Sequence, residues 1–151
     1  MTSLIPTSGP LGLAVKTETA TLTCTDALVA GDLVTLTLAD GGYTACTKSV
    51  SADSTPDHIL GVATATVAAG GTGIITLKGV VNATIQGSGA AGLALVCGTS
   101  TGQLTAAPTA SAASGAAYVK VVAIMLELSA GPGSIVPVIF DGVNGFAASH
   151  A

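Results

Sequence analysis

The chain has 151 residues, a length that sets a prior of one domain and allows roughly 70% of the unfolded surface to be buried. Hydrophobic residues make up 49% of it and charged residues 8%, which excludes the polar, highly charged composition of a disordered chain. Net charge is −4, Arg is absent, and the four Lys (Lys16, Lys48, Lys78, Lys120) are scattered, so there is no cation cluster to neutralise nucleic-acid phosphates or an anionic membrane.

Residues 1–14 read as a flexible N-terminal arm. Pro6, Gly9, Pro10 and Gly12 interrupt any regular element, while Leu4, Ile5, Leu11 and Leu13 are apolar. Such a segment is either a loose tail or a piece that orders on a partner. From Val15 the pattern is two-periodic: Thr17, Thr19, Thr21, Thr23 and Thr25 fall on one face, and Ala20, Leu22 and Cys24 on the other, which is strand geometry. Ala30-Gly31-Asp32 turns the chain into a strand over Leu33–Leu38, and Asp40-Gly41-Gly42 turns it back over Tyr43–Val50. After a polar loop over Ser51–Asp57, strands are expected over Ile59–Ala68 and over Ile74–Ile85, the latter bent near Gly79.

Gln86–Gly92 reads as a loop, Leu93–Cys97 as a strand or a helical turn, and Leu104 as the centre of a short strand. Ala106–Gly115 is low in complexity and reads as a surface loop. Tyr118–Leu128 is the strongest strand candidate in the C-terminal half. Ile135–Phe140 is the last strand, with Pro137 pointing to an edge or a bulge. Asp141–Ala151 reads as a tail. The composition agrees: aromatics are 3%, Trp is absent and Gly numbers 20, so the apolar share is mostly Ala, Val, Leu and Ile, with Val, Ile and Thr suited to a pleated surface. The fold expected is all-β, a small barrel or β-tulip-like sandwich of short antiparallel strands over 15–140, with at most one short helix.

Candidate chemistry is sparse. Gly87-Ser88-Gly89-Ala90-Ala91-Gly92 matches G-x-G-x-x-G. A dinucleotide site also needs a helix starting there and an acidic residue about 20 positions on. A Gly-rich turn at Cys97-Gly98 arrives too soon for the helix, and no acid lies between Asp57 and Glu127. Asp53, Asp57 and His58 share a polar loop but lack the spacing that completes a metal shell, and a solvated loop is the plainer reading. His150 lies at the frayed end, and Glu127 is expected to face solvent. No G-x-S-x-G elbow surrounds any Ser. Cys24, Cys46 and Cys97 are odd in number and far apart, so they read as small core residues in a protein made in a reducing cytosol rather than as disulfides or zinc ligands. The N-terminus lacks the basic and long apolar regions of a signal peptide, no run of about 18 apolar residues could span a membrane, and Asn82-Ala83-Thr84 is a chance match to a glycosylation acceptor. No catalytic, cofactor-binding or metal residues are therefore expected, and the chain reads as a non-enzyme.

The ordered motifs Ala30-Gly31-Asp32-Leu33-Val34-Thr35-Leu36, Ile59-Leu60-Gly61-Val62-Ala63, Ala69-Gly70-Gly71-Thr72-Gly73 running into Ile74–Val81, Val119–Ala123 and Ile135–Val138 resemble the capsid decoration (cement, head-stabilising) proteins of tailed bacteriophages, over about Ala27 to Phe140. The resemblance implies a compact β-barrel or β-tulip domain and a homotrimer on the outer surface of the virion. It implies binding to the major capsid protein, with no cofactor and no nucleic-acid or membrane partner. It also implies an arm that orders on the capsid, which puts the capsid-binding residues at Ser3, Leu4, Ile5, Pro6, Leu11 and Leu13. A mean hydropathy of +0.75 fits surface covered by other subunits. The alternative is a virion-surface adhesin or carbohydrate-binding β-domain, for which the aromatic supply of Tyr43, Tyr118, Phe140 and Phe146 is thin.

Overall fold

A computed structural model describes residues 16–39, 41–107, 118–146 and 148–150. The expected arm over 1–14, and with it Ser3, Leu4, Ile5, Pro6, Leu11 and Leu13, lies outside the described residues, as does most of the Ala106–Gly115 stretch. The described chain is all-β. Its strands are β1 (Glu18–Cys24), β2 (Leu33–Ala39), β3 (Gly42–Lys48), β4 (Leu60–Ala63), β5 (Thr72–Ile85), β6 (Ala94–Cys97), β7 (Leu104–Ala106), β8 (Tyr118–Lys120), β9 (Ala123–Met125), β10 (Ser134–Asp141) and β11 (Ala148–His150). One 3₁₀ turn over Ser51–Ser54 is the helical element among the described residues.

Strands β1-β3-β2-β4-β5 run in that order, and β1 pairs back with β5 to close a five-stranded barrel. The 14-residue β5 then continues into a second ring, β5-β10-β9-β6-β7, closed by the parallel bridge Ile85↔Leu104. The two rings have the same topology. β1 pairs with β3 in parallel through Cys24↔Cys46, as the end of β5 pairs with β7, and every other pairing in both rings is antiparallel. Even the isolated bridges match, Leu28↔Val67 in one ring and Gly89↔Ser129 in the other. The molecule is thus two copies of one strand plan that share a strand.

The plan is written in a turn that recurs four times: Leu28-Val29-Ala30-Gly31, Val67-Ala68-Ala69-Gly70, Gly89-Ala90-Ala91-Gly92 and Ser129-Ala130-Gly131-Pro132-Gly133. The first residue bridges across the ring, and the closing glycine takes a positive φ (96°, 82°, 90° and 80°), which L side chains adopt at a cost of about 1–2 kcal/mol. Its amide then donates across the ring. Gly31 and Gly92 donate to the carbonyls of Ala63 and Met125, both at 2.8 Å, and Gly70 and Gly133 donate to those of Cys24 and Ile85 at 2.6 and 2.8 Å.

Alternation decides what each ring encloses. Leu22, Cys24, Val34, Leu36, Cys46, Ala63 and Ile75 fill the first ring with Leu28. Ala83, Ile85, Leu95, Leu104, Met125, Val138 and Phe140 fill the second, and Leu33, Leu60 and Val62 join that second cluster from β2 and β4. Those three sit on the opposite face of their strands from Val34 and Ala63, so the outside of the first ring is packed onto the second. β4 is buried at all four positions for this reason, as strands covered on both faces are.

Four sequence expectations are corrected. Ile59–Ala68 is not one strand: β4 ends at Ala63, and Val67 turns to bridge Leu28. Tyr118–Leu128 is two strands in different sheets, β8 against β11 and β9 against β10 and β6. β11 lies in the segment read as a tail. Pro137 is not on an edge, since β10 is paired on both sides. Its missing N–H faces the point where β9 has ended at Met125, and its carbonyl still accepts from Leu126 N at 3.0 Å, so the sheet loses little. The bend expected at Gly79 is present, with φ 122°. Thr17 packs so closely there that a Cβ at Gly79 would lie 2.9 Å from its Oγ1.

Candidate functional site

The polar loop between β3 and β4 draws Asp53, Asp57 and His58 together. Asp53 Oδ2 accepts from Thr35 Oγ1 at 2.7 Å and Val50 N at 2.9 Å, which locks the 3₁₀ turn to β2. His58 stands between two carboxylates, Nε2 3.5 Å from Asp53 Oδ1 and Nδ1 3.5 Å from Asp57 Oδ1, with Thr55 Oγ1 2.9 Å from Nδ1. Thr55 Oγ1 donates to Asp57 Oδ1 at 2.5 Å, and this bond is the main reason the Asp57 carboxyl is held below its usual range. Among the described residues no group of three or more His, Cys, Asp and Glu side chains is placed to hold a metal ion.

Lys120 explains the loop's position, and sequence reasoning missed it. It is 5% exposed, and its Nζ donates to the carbonyls of His58, Gly142 (2.9 Å) and Val143 (3.3 Å). Burial lowers its pKa, partly offset by the Asp141 charge. One buried ammonium with three donors thereby ties the β3–β4 loop to the turn after β10. The only hint in the sequence is a lone Lys inside an apolar stretch.

The thiols are also structural. Cys24 and Cys46 face each other inside the first ring with Sγ atoms 3.9 Å apart, and burial together with the neighbouring Cys24 pushes the Cys46 thiol up to about 12. Cys97 donates to the Val50 carbonyl at 3.2 Å and is pushed up to about 11 by burial. A nucleophilic thiol needs the opposite shift. The G-x-G-x-x-G lookalike is the third copy of the recurring turn. A Cβ at Gly89 would lie 2.5 Å from Leu93 Cδ2 and 3.2 Å from Met125 Sδ, so the Leu93 side chain would have to shift to admit one. Glu127 is exposed, as its alternation suggested.

The surface feature with the clearest shape is a half-open groove of about 430 Å³ where the rings meet. Ala30, Gly31, Ala63 and Thr64 line it from the first ring, and Val81, Asn82 and Ile135 from the second. None of these residues is charged. Ile135, 54% exposed, and the neighbouring Val29, also 54% exposed, extend its apolar rim. Asn82 and Val80 present a strand edge. Asn82 lies opposite Pro137, which has no N–H, so its backbone groups turn away from β10. Thr84, of the same parity, sends its amide to Gly31 O at 3.0 Å. On that side β5 is paired with β1 up to Lys78 and with β7 at Ile85, and among the described residues the backbone groups of Val80 and Asn82 have no partner there.

No protein-family model and no curated protein matches the chain. Among solved structures, the fold is similar to the head fiber gp8.5 N base of bacteriophage phi29, with a TM-score of 0.56 and 13% sequence identity, over 87% of this chain and 99% of that one. The likeness runs across both rings and shows a shared fold.

Proposed function

We propose that this chain is a structural protein of a phage virion, which binds the outer surface of the capsid as an oligomer, a homotrimer by the resemblance to decoration proteins, and stabilises the shell without chemistry. The observation that carries the reading is the fold shared over 87% of this chain with a phage head fiber base. The recurring turns and the buried, structurally committed Lys and Cys side chains support it, because they leave the described polar groups holding strands together. Binding across neighbouring capsomers stabilises a shell by mass action, since the partner engages only the assembled state. In this reading the major capsid protein is the partner. The arm over residues 1–14, with Ser3, Leu4, Ile5, Pro6, Leu11 and Leu13, supplies an apolar contact that orders on it.

The test is a co-sedimentation assay with expanded capsids of the source phage, comparing the full chain with a form lacking residues 1–14. The full chain is expected to decorate the capsids and raise their resistance to heat and osmotic shock, and the shortened form to lose at least tenfold in affinity while staying folded. Equal binding by both forms removes the arm from the account, and no binding by the full chain removes the capsid reading.

A further inference from the structure

The seam that closes the first ring is short and carries two thiols. β1 and β3 meet in parallel at Thr23↔Ala45 and Cys24↔Cys46. At the corresponding seam of the second ring the parallel bridge is Ile85↔Leu104. An aliphatic pair therefore serves the same joint, so packing alone does not call for two cysteines in the first ring. Both are fully buried free thiols in the core of that ring. They stand 22 residues apart in the sequence, and their Sγ atoms are 3.9 Å apart.

That arrangement is close to what a disulfide needs. Bridged cysteines have Cα atoms about 4.4–6.8 Å apart, and neighbouring strands lie about 4.7–4.9 Å apart, so register partners on adjacent strands are within range. Reaching the S–S length of about 2.05 Å requires both side chains to rotate and the strands to draw together slightly. A bond closed in that way carries strain and stays open to reductants. Cys97 is placed differently: its thiol donates to the Val50 carbonyl at 3.2 Å, and the residue belongs to the core of the second ring. The Cys24–Cys46 pair is guarded while the first ring is shut. Burial pushes the Cys46 thiol up to about 12, and a protonated thiol is a poor nucleophile. Oxidation therefore waits for the ring to open transiently.

We infer that Cys24 and Cys46 are a latent disulfide, which staples β1 to β3 when the folded protein meets a small peroxide. One sulfur, as the thiolate, attacks an oxygen of hydrogen peroxide. The O–O bond breaks, one water leaves and a sulfenic acid forms. The second sulfur attacks the first, the S–O bond breaks and a second water leaves. Two thiols and one hydrogen peroxide thus become one disulfide and two waters, with two electrons passing from sulfur to the peroxide. The bond spans 22 residues of sequence and constrains the unfolded chain. For a virion protein the occasion is release from a reducing cytosol into an oxidising medium, but the bond itself does not depend on that reading.

The experiment uses the full chain, reduced, freed of reductant and incubated in its folded state with hydrogen peroxide. After the peroxide is removed, thiols are counted in denaturant, the intact mass is read and linked peptides are mapped. The count is expected to fall from the three free thiols to one, the mass to fall by two hydrogens, and the linked pair to be Cys24 with Cys46. Cys97→Ala is expected to form the same bond, and Cys46→Ala to form none. In urea, the oxidised chain is expected to have an unfolding constant about 100-fold below that of the reduced chain, and a dithiol reductant to restore the reduced value. A full count of thiols after prolonged exposure overturns the inference. So does oxygen added at Cys24 or Cys46 with no bond between them, or a bond that links Cys97 or two chains instead. An unfolding constant that does not change on oxidation overturns the stapling.

Discussion

The two rings follow one strand plan and are built differently. The first has seven-residue strands β1, β2 and β3 and a core of aliphatic side chains, with no aromatic among its buried members, around a buried cysteine pair. The second makes β6, β7 and β9 from three or four residues each, and fills its larger core with Leu95, Leu104, Met125 and Phe140. The second ring also takes Leu33, Leu60 and Val62 from the outer face of the first. Topology is therefore set by the recurring glycine turns and the bridges they position, while core composition varies freely around them. The asymmetry also says that the first ring supplies a wall of the second, so the two should not come apart.

The strongest way to break that comparison is Phe140→Ala. Truncating a fully buried Phe costs about 3–5 kcal/mol. Because Phe140 shares a cluster with Leu60 and Val62, the urea midpoint of the whole chain should fall in one transition. A second transition that retained the first ring would show that the rings are independent. Lys120→Met comes next. It leaves three carbonyls without their donor, and a loss of about 2–3 kcal/mol is expected by chemical denaturation, with faster amide exchange around His58 and Gly142.

Each ring holds a buried thiol whose pKa is raised in the folded state, to about 12 for Cys46 and about 11 for Cys97. A raised folded pKa on an acid means the unfolded chain ionises first. The stabilisation is complete below the unfolded value of 9.0 and fades as pH rises, through about 11 for Cys97 and about 12 for Cys46. Each group contributes a slope of at most about 1.4 kcal/mol per pH unit. Lys120 acts with the opposite sign. Its lowered pKa is a penalty present at neutral pH and relieved as pH climbs towards the unfolded 10.5. Cys46→Ala and Cys97→Ala should each flatten the alkaline loss of stability relative to the parent chain, and an unchanged slope in both would refute the assignment. The smallest effect sharpens the equivalence of the turns. Gly92→Ala meets nothing within 4 Å and should show only backbone strain, about 1–2 kcal/mol. Gly31→Ala, whose Cβ would stand 3.0 Å from Thr84 Oγ1, should cost measurably more in thermal melts.

Much of the fold was legible, and for stated reasons. The Thr17–Thr25 alternation gave β1, paired apolar runs around Gly41-Gly42 gave the β2–β3 hairpin, and the bend in β5 followed from Gly79. The duplication was harder to see, because equivalent positions share little beyond the glycine: Leu28 corresponds to Gly89, and Val67 to Ser129. The four Ala/Gly turns were visible as loops, but nothing local says that they bridge one another. Tyr118–Leu128 read as one strand because apolar continuity does not report that the chain changes sheets at Val121. The groove was hidden because its lining comes from four separate stretches, and only the topology brings Gly31 to Ile135. The residues expected to bind a capsid all lie in the arm, outside the described residues.

The central claim is that the two rings are a single cooperative body joined through β5 and a shared core. Native-state amide exchange in sub-denaturing urea tests it most directly, read at Ile75 in the first ring and Leu95 in the second. Both are fully buried strand residues. The account predicts that their amides open with the same free energy and the same urea dependence, through one global unfolding. If Leu95 opens with a markedly smaller urea dependence while Ile75 stays protected, the second ring unfolds alone and the claim is wrong.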